Sequence, residues 1–293
     1  MRRAAKWLGI ALSAIAAGLL VASAAIYFRS ERLFSQRYQA KPEQLVRPSA
    51  AALADAPRQA RLLGCLSCHG AGLRGNEVFD APSIGDMIAP NLPRLIQNRT
   101  DQQIAAAIRQ GISLDGRPLL VMPSGLFSRL TDEEVSALIA WMRTLPAEAP
   151  PSTPFRLTLL GRWMVLNGDL PRQPDLVPVY QRRQPPDLGP QHSKGRHIAA
   201  TTCAECHSPD LRGGERPHAD FNTKFGEGTP ASPDLDIAGA YDLPAFIRLL
   251  RTGRPPDGRD LGMMSSVARN DFKHLTDEEI AALHAYLSAR AQR

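Results

Sequence analysis

Cysteine is scarce in this 293-residue chain: there are four, and none lies outside the pentapeptides Cys65-Leu66-Ser67-Cys68-His69 and Cys203-Ala204-Glu205-Cys206-His207. With no thiol left over, a disulfide framework does not explain the stability of the protein. Aromatic residues are also few, at 6%. The apolar mass comes instead from Leu, Ala and Ile, which favours helix over a β-branched, aromatic-packed class. Acidic residues are nearly missing from the N-terminus, where residues 1–41 hold seven basic side chains against Glu31 alone. That local excess of +6 equals the formal net charge of the whole chain, +6, so the remainder is neutral. A nucleic-acid-binding function loses its electrostatic basis.

What is present begins with the two pentapeptides. Cys-x-x-Cys-His is the spacing of covalent c-type haem attachment: each thiol adds to one haem vinyl group, and the adjacent histidine is carried beneath the porphyrin to ligate iron. A tetrathiolate zinc site would set its two knuckles about 15 to 20 residues apart, whereas 134 residues lie between Cys68 and Cys203. No βαβ pattern surrounds either motif, which disfavours a thioredoxin-like pair. The expected cofactors are two covalently bound haem c groups on Cys65, Cys68, Cys203 and Cys206, with His69 and His207 on iron.

A run of 22 uncharged residues, Trp7 to Phe28, precedes all of this. As a helix it is about 33 Å long, against a hydrocarbon core of about 30 Å, so it reaches across a bilayer. The alternative is a cleavable signal peptide, for which Ala22-Ser23-Ala24 would serve as the cleavage site. The apolar run exceeds the usual ~7 to 15 residues of such a segment, which favours a retained anchor. Basic residues after the span outnumber those before it. Haem attachment, which resembles a process of the outer side of the energy-transducing membrane, nevertheless places the following domains in the periplasm and the N-terminus in the cytoplasm.

The rest of the chain repeats itself around the two motifs. His69 to Gly75 matches His207 to Gly213 at an offset of 138, and Pro90-Asn91-Leu92 resembles Pro233-Asp234-Leu235 at 143. Helical patterns end at Gly111 and Gly253, and Asp-Gly-Arg follows at Asp115 and Asp257, all at 142. Leu-Thr-Asp-Glu-Glu recurs from Leu130 and from Leu275 at 145. Thr131 with Glu134, and Thr276 with Glu279, form capping boxes that open an amphipathic final helix in each copy. Trp141 and Tyr286 of those helices are expected to pack on the helix preceding each motif. The organisation is therefore a stub (1–6), an anchor (7–28), a linker (29–52), a first domain (53–147), a proline-rich connector (148–190) and a second domain (191–293). Within the connector, Phe155 to Leu166 reads as a short helix wedged between the domains.

A second axial ligand separates electron transfer from catalysis at iron. Apart from His69, no histidine precedes residue 192, so the first copy offers Met87, Met122 and Met142. Met142 falls on the apolar face of the final helix and Met87 in a loop on the wrong side. Met122, before Pro123, is the candidate. The offset of 142 carries Met122 onto Met264, with Met263 as the neighbouring alternative. Among the histidines of the second copy, 192, 197, 274 and 284 read as packing or surface residues, and His218 is held in reserve.

In this order, a Cys-x-x-Cys-His motif, a Pro-Asn-Leu or Pro-Asp-Leu loop, a methionine loop and a C-terminal aromatic helix resemble class I cytochrome c domains. The likeness covers nearly all of both domains and implies an all-α fold, two tandem domains behind an N-terminal transmembrane helix. It also implies that the carbonyls of Pro90 and Pro233 accept the Nδ1 hydrogen of His69 and His207, and that Leu92 and Leu235 pack on the haem edge. Arg74, Arg117, Arg212 and Arg259 recur at equivalent positions and are candidates to neutralise haem propionates. Two departures stand out: Pro57 where the second copy has Gly195, and no proline after Met264.

The whole resembles a membrane-anchored bacterial dihaem cytochrome. The resemblance implies an electron-transfer protein of the bacterial inner membrane rather than an enzyme. It would pass single electrons from a respiratory donor, a dehydrogenase or quinol-oxidising complex, to other cytochromes or a terminal oxidase. The alternatives are a dihaem peroxidase, a thiosulfate-oxidising cytochrome, or the cytochrome subunit of a periplasmic dehydrogenase. The Trp-Asp-Gly-Arg signature associated with dihaem peroxidases is missing its Trp. Three-haem companions being common, two haems argue mildly against the subunit reading.

Overall fold

The computed structural model describes residues 2–81, 83–147, 156–214 and 232–293. The uncharged N-terminal run forms part of one long helix, α1 (Arg2–Ser35), apolar and long enough to cross a membrane. Domain one follows with α2 (Ala50–Leu62), α3 (Cys65–His69), the strands β1 (Asn76–Ala81) and β2 (Gly85–Ala89), then α4 (Leu92–Leu95), α5 (Asp101–Gln110), α6 (Ser124–Phe127) and α7 (Asp132–Met142). The connector supplies β3 (Arg156–Leu157), α8 (Leu159–Asn167) and α9 (Gln173–Arg182). Domain two holds α10 (Ser193–Ile198), α11 (Leu243–Thr252), α12 (Met263–Asn270) and α13 (Asp277–Arg290).

Local chemistry sets the helix ends. In both final helices the cap threonine accepts from the backbone N–H of the third residue, whose carboxylate accepts from the threonine N–H. A third box, Thr100 with Gln103, opens α5. Gly111 and Gly253 close α5 and α11 in the left-handed conformation, with φ of 69° and 71°. A side chain is barred at Gly253 twice over, since its Cβ would also lie 2.5 Å from the Ser265 carbonyl oxygen.

Within each domain the helix before the motif packs on the final helix, α2 on α7 and α10 on α13. The second crossing is so close that a Cβ on Gly195 would sit 2.1 Å from the Ala282 carbonyl oxygen and 2.7 Å from Cβ of Tyr286. Tyr286 is fully buried there and donates its hydroxyl to the Pro186 carbonyl at 2.9 Å. Domain one has Pro57 inside α2, flanked by the buried alanines Ala56 and Ala60. One continuous hydrophobic core joins the two domains, running from Ile104 and Leu138 of the first to Ile280 and Leu283 of the second.

Three segments add to the expectation drawn from the sequence or depart from it. Within the linker, residues 36–49 lie extended against α5 and α7. Gln102 and Glu43 exchange two hydrogen bonds (2.8 and 2.9 Å), as do Gln110 and Lys41 (2.9 and 2.8 Å). Arg109 then reaches Glu43 at 2.7 Å and Asp132 at 2.8 Å. Met87 lies in strand β2, not a loop, in a small antiparallel sheet ordered β1-β2-β3. Finally, α8 is not wedged between the domains: with Ile84, Met87, Leu120 and Leu170 its Met164 and Val165 build a second core, onto which Leu33 and Phe34 of α1 pack. The connector helix at the domain interface is α9, whose Tyr180 donates to Glu205 at 3.2 Å.

Candidate haem sites

Each motif histidine is held by the same short loop. Helix α3 starts after Gly64, which turns the chain out of α2 with φ of 74°. Its single turn puts Cys65 and Cys68 on one side, three residues apart. His69 is buried, and its Nδ1 lies 2.9 Å from the Pro90 carbonyl oxygen. In the second copy, buried His207 has Nδ1 2.8 Å from the Pro233 carbonyl oxygen. A carbonyl only accepts, so Nδ1 carries the hydrogen and Nε2 keeps its lone pair for a metal.

The loop then closes back on the histidine. Gly75 N–H donates to the His69 carbonyl and Gly213 N–H to the His207 carbonyl, both at 2.9 Å. To make this closure Leu73 and Leu211 adopt φ of 55° and 67°, a conformation that costs a non-glycine residue about 1–2 kcal/mol. Both leucines are completely buried, and that burial offsets the strain by roughly 1.5–3 kcal/mol each. The recurrence of Leu-Arg-Gly at offset 138 is legible in the sequence; that Leu carries the left-handed turn is not.

Three of the thiols are held above their ordinary value. Burial pushes Cys65 up to about 12 and Cys203 up to about 11, and each is raised further by its partner cysteine. Cys68 is also raised, by burial first and then by the Asp271 and Glu205 carboxylates. Burial lowers the pKa of His69 against the opposing hydrogen bond to Pro90, which keeps the imidazole neutral and competent as a ligand.

The remaining candidates divide by where they pack. Met122 and Met264 both lie against the main core, on which Cys65, Leu66 and Cys203 of the motifs also pack, whereas Met263 is not among the residues that do. Met142 is buried within that core, and Met87 and Met164 belong to the second one. Leu92 and Leu235 also pack on the main core. His197 and His284 are engaged elsewhere, with Glu134 at 2.9 Å and the Tyr241 carbonyl at 2.8 Å. His192 stands beside Tyr286, and the His274 carbonyl accepts from Arg58. His218 lies outside the described residues. The four arginines are exposed. Arg117 pairs with Asp115 at 2.7 Å and Arg259 with Asp257 at 3.3 Å, each within its own Asp-Gly-Arg turn.

A set of contacts between the domains escaped the sequence reading. Each final helix offers the glutamate of its capping box to the first helix of the other domain. Glu134 of α7 meets His197 of α10, while Glu279 of α13 meets Arg58 of α2 at 2.8 and 2.9 Å. Burial pushes the Glu134 carboxyl up, but the hydrogen bond and charge of His197 and the donors of Thr131 outweigh it, leaving the group below its ordinary value. Arg129 knits the same seam, donating to carbonyls of Tyr180, Arg183, Ala200 and Pro209 at 2.6 to 3.1 Å. Burial pulls its pKa down to about 10. Ser67, inside the first motif, donates to Asp271 of the second domain at 2.6 Å. The capping signature was visible in the sequence, but its second use depends on how the domains meet.

The family model for cytochrome c matches residues 54–146 and 192–290. The chain belongs to the cytochrome c family. Its two matched segments are tandem class I domains, and the cofactor of such domains is covalently bound haem c. The donor set fits that group: paired thiols three residues apart and a buried imidazole whose Nδ1 faces a Pro carbonyl. Among characterised proteins, the chain is 28% identical over 249 residues to the fructose dehydrogenase cytochrome subunit of Gluconobacter japonicus, covering 76% of this chain and 49% of that one. It is 24% identical over 258 residues to the gluconate 2-dehydrogenase cytochrome c subunit of Pantoea cypripedii, covering 78% and 57%. The chain thus spans about half the length of the curated relatives it matches.

Proposed function

We propose that the chain is a membrane-anchored dihaem cytochrome that relays single electrons from a periplasmic dehydrogenase to a downstream acceptor. His69 with Met122 and His207 with Met264 are the axial ligand pairs. One observation carries the reading: the two domains share one core, and Ser67 of the first motif bonds Asp271 of the second domain at 2.6 Å. Two domains packed in this way hold their attachment motifs in a fixed relation, which suits a relay better than two independent sites.

Bound haem supplies reversible one-electron chemistry at iron. The protein contributes the rest. Pro90 and Pro233 hold the Nδ1 hydrogen and so orient each imidazole. Burial of His69 and His207 withdraws the ligand side of each site from water, which would raise the potential of a bound haem. Both relatives are by name cytochrome subunits of dehydrogenases, which supports a dehydrogenase as donor and outweighs the argument from haem number.

Optical redox titration of the purified holoprotein tests this. Two one-electron components, both low-spin and methionine-ligated, are expected, with no turnover of peroxide or thiosulfate. A high-spin haem with peroxidase activity would overturn the relay.

A further inference from the structure

We infer that α8 is a membrane-surface foot, its outer face of Leu159, Leu160 and Trp163 seated in the headgroup layer beside the exit of α1. The inference rests on α1 being a retained membrane anchor. Helix α8 is apolar on two sides. Its inner side, Gly161, Met164 and Val165, is buried, and the approach there is so close that a Cβ on Gly161 would lie 2.3 Å from the Ile84 carbonyl oxygen. The helix therefore cannot roll to hide its other side, where Leu159, Leu160 and Trp163 are 41%, 41% and 46% exposed.

The depth of that side follows from what α8 holds. The Arg162 guanidinium sits 4.2 Å above the Tyr27 ring and 5.3 Å from that of Phe34, donates to Ser30 at 2.9 Å and pairs with Glu31 at 3.1 Å. Those partners start where the uncharged run ends and continue for about 10 Å at 1.5 Å per residue. The headgroup layer on one side of a bilayer is about 5–7 Å thick. Helix α8 is thus docked at the level of the headgroups, where tryptophan preferentially resides. Exposed Arg29 and Arg32 stand at the same height along α1, and exposed Arg156 lies in β3 just before α8, so basic side chains that complement anionic lipid occur at this level. Among the described residues nothing covers this face. A bilayer reached by the adjoining helix is the occupant that matches both its polarity and its height.

Haem attachment consumes all four cysteines, so an introduced one is the sole reactive thiol. Spin labels at Trp163→Cys, Leu160→Cys, Leu19→Cys in the anchor and exposed Ile237→Cys in domain two would be compared. The full-length holoprotein is placed in nanodiscs of phosphatidylcholine and phosphatidylglycerol. Collision with oxygen and with a water-soluble nickel chelate is read by power-saturation resonance. The expected result is an oxygen-to-nickel ratio at 160 and 163 several-fold above that at 237 and below that at 19. If 160 and 163 behave like 237 while 19 reads as lipid, the foot falls and the anchor stands. If 19 reads as water, anchor and foot fall together. Labels at 160 and 163 shielded from both reagents would mean a protein occupant and overturn the inference.

Discussion

Replacing Arg58 with Ala would test whether the two domains behave as one unit. Its guanidinium bonds both oxygens of Glu279 at 2.8 and 2.9 Å and the His274 carbonyl at 2.8 Å, all across the seam. The two side chains are only 26% and 12% exposed, so the pair is largely withdrawn from water. Removing one partner of a fully buried pair costs about 3–5 kcal/mol, because the other charge is left without compensation. Here Glu279 keeps the Thr276 N–H at 2.8 Å, and Arg58 is partly solvated. The expected loss is about 2–3 kcal/mol, a fall in Tm of roughly 4–12 °C for a protein of this size. Thermal unfolding of the detergent-solubilised holoprotein, followed separately by haem and far-ultraviolet circular dichroism, gives the value. A double-mutant cycle with Glu279→Gln should return a coupling above about 1 kcal/mol. Loss below about 0.5 kcal/mol, or additive single changes, would refute a seam held by this pair.

Other outcomes follow from the same geometry. Met122→Ala and Met264→Ala should each abolish the methionine-to-iron(III) charge-transfer band of one haem and lower its potential, read by visible absorption and redox titration; retention in the second variant shifts the ligand to Met263. Gly253→Ala forces a Cβ onto Ser265 in a left-handed turn and should destabilise by about 2–4 kcal/mol, measured as a lowered Tm. Glu134 has a depressed pKa, so its contribution to stability is present above its ordinary value of 4.5 and fades as pH falls through that range. His197→Ala should remove that acid sensitivity, and a Tm profile against pH that keeps its full acid limb would contradict the pairing.

Much of the fold could be read from the chain because the repeat compares each position with a second copy. The capping threonines, Gly111, Gly253 and the Pro90 and Pro233 loops all stand where periodicity and offset put them. Features without a counterpart stayed hidden. The hairpin from Asn76 to Ala89 alternates too little to announce strands, and it owes its order to α8, which lies some seventy residues later. The strap at residues 36–49 has the polar composition of a linker, yet its backbone is paired by glutamines of α5 that look like ordinary surface residues. At the site, the two motifs were legible because covalent attachment demands one spacing, and the contacts of their histidines with the Pro90 and Pro233 carbonyls because the family resemblance implies them. The contact of the first motif with the second domain was not, since Ser67 and Asp271 are 204 positions apart and meet only through domain packing.

The strap also bears on how partners reach the cofactors. Were residues 36–49 a flexible tether, the domains would sweep a hemisphere above the membrane and find a redox partner by swinging. Paired along α5 and α7, and joined to α1 on one side, they form a fixed mount instead. With α1 as the proposed membrane anchor, encounter with a membrane-bound redox partner becomes a problem of lateral diffusion and facing angle in two dimensions. Selection on this chain would accordingly act on which side of the mount presents a haem edge, and lengthening the strap would detach that bearing without extending reach.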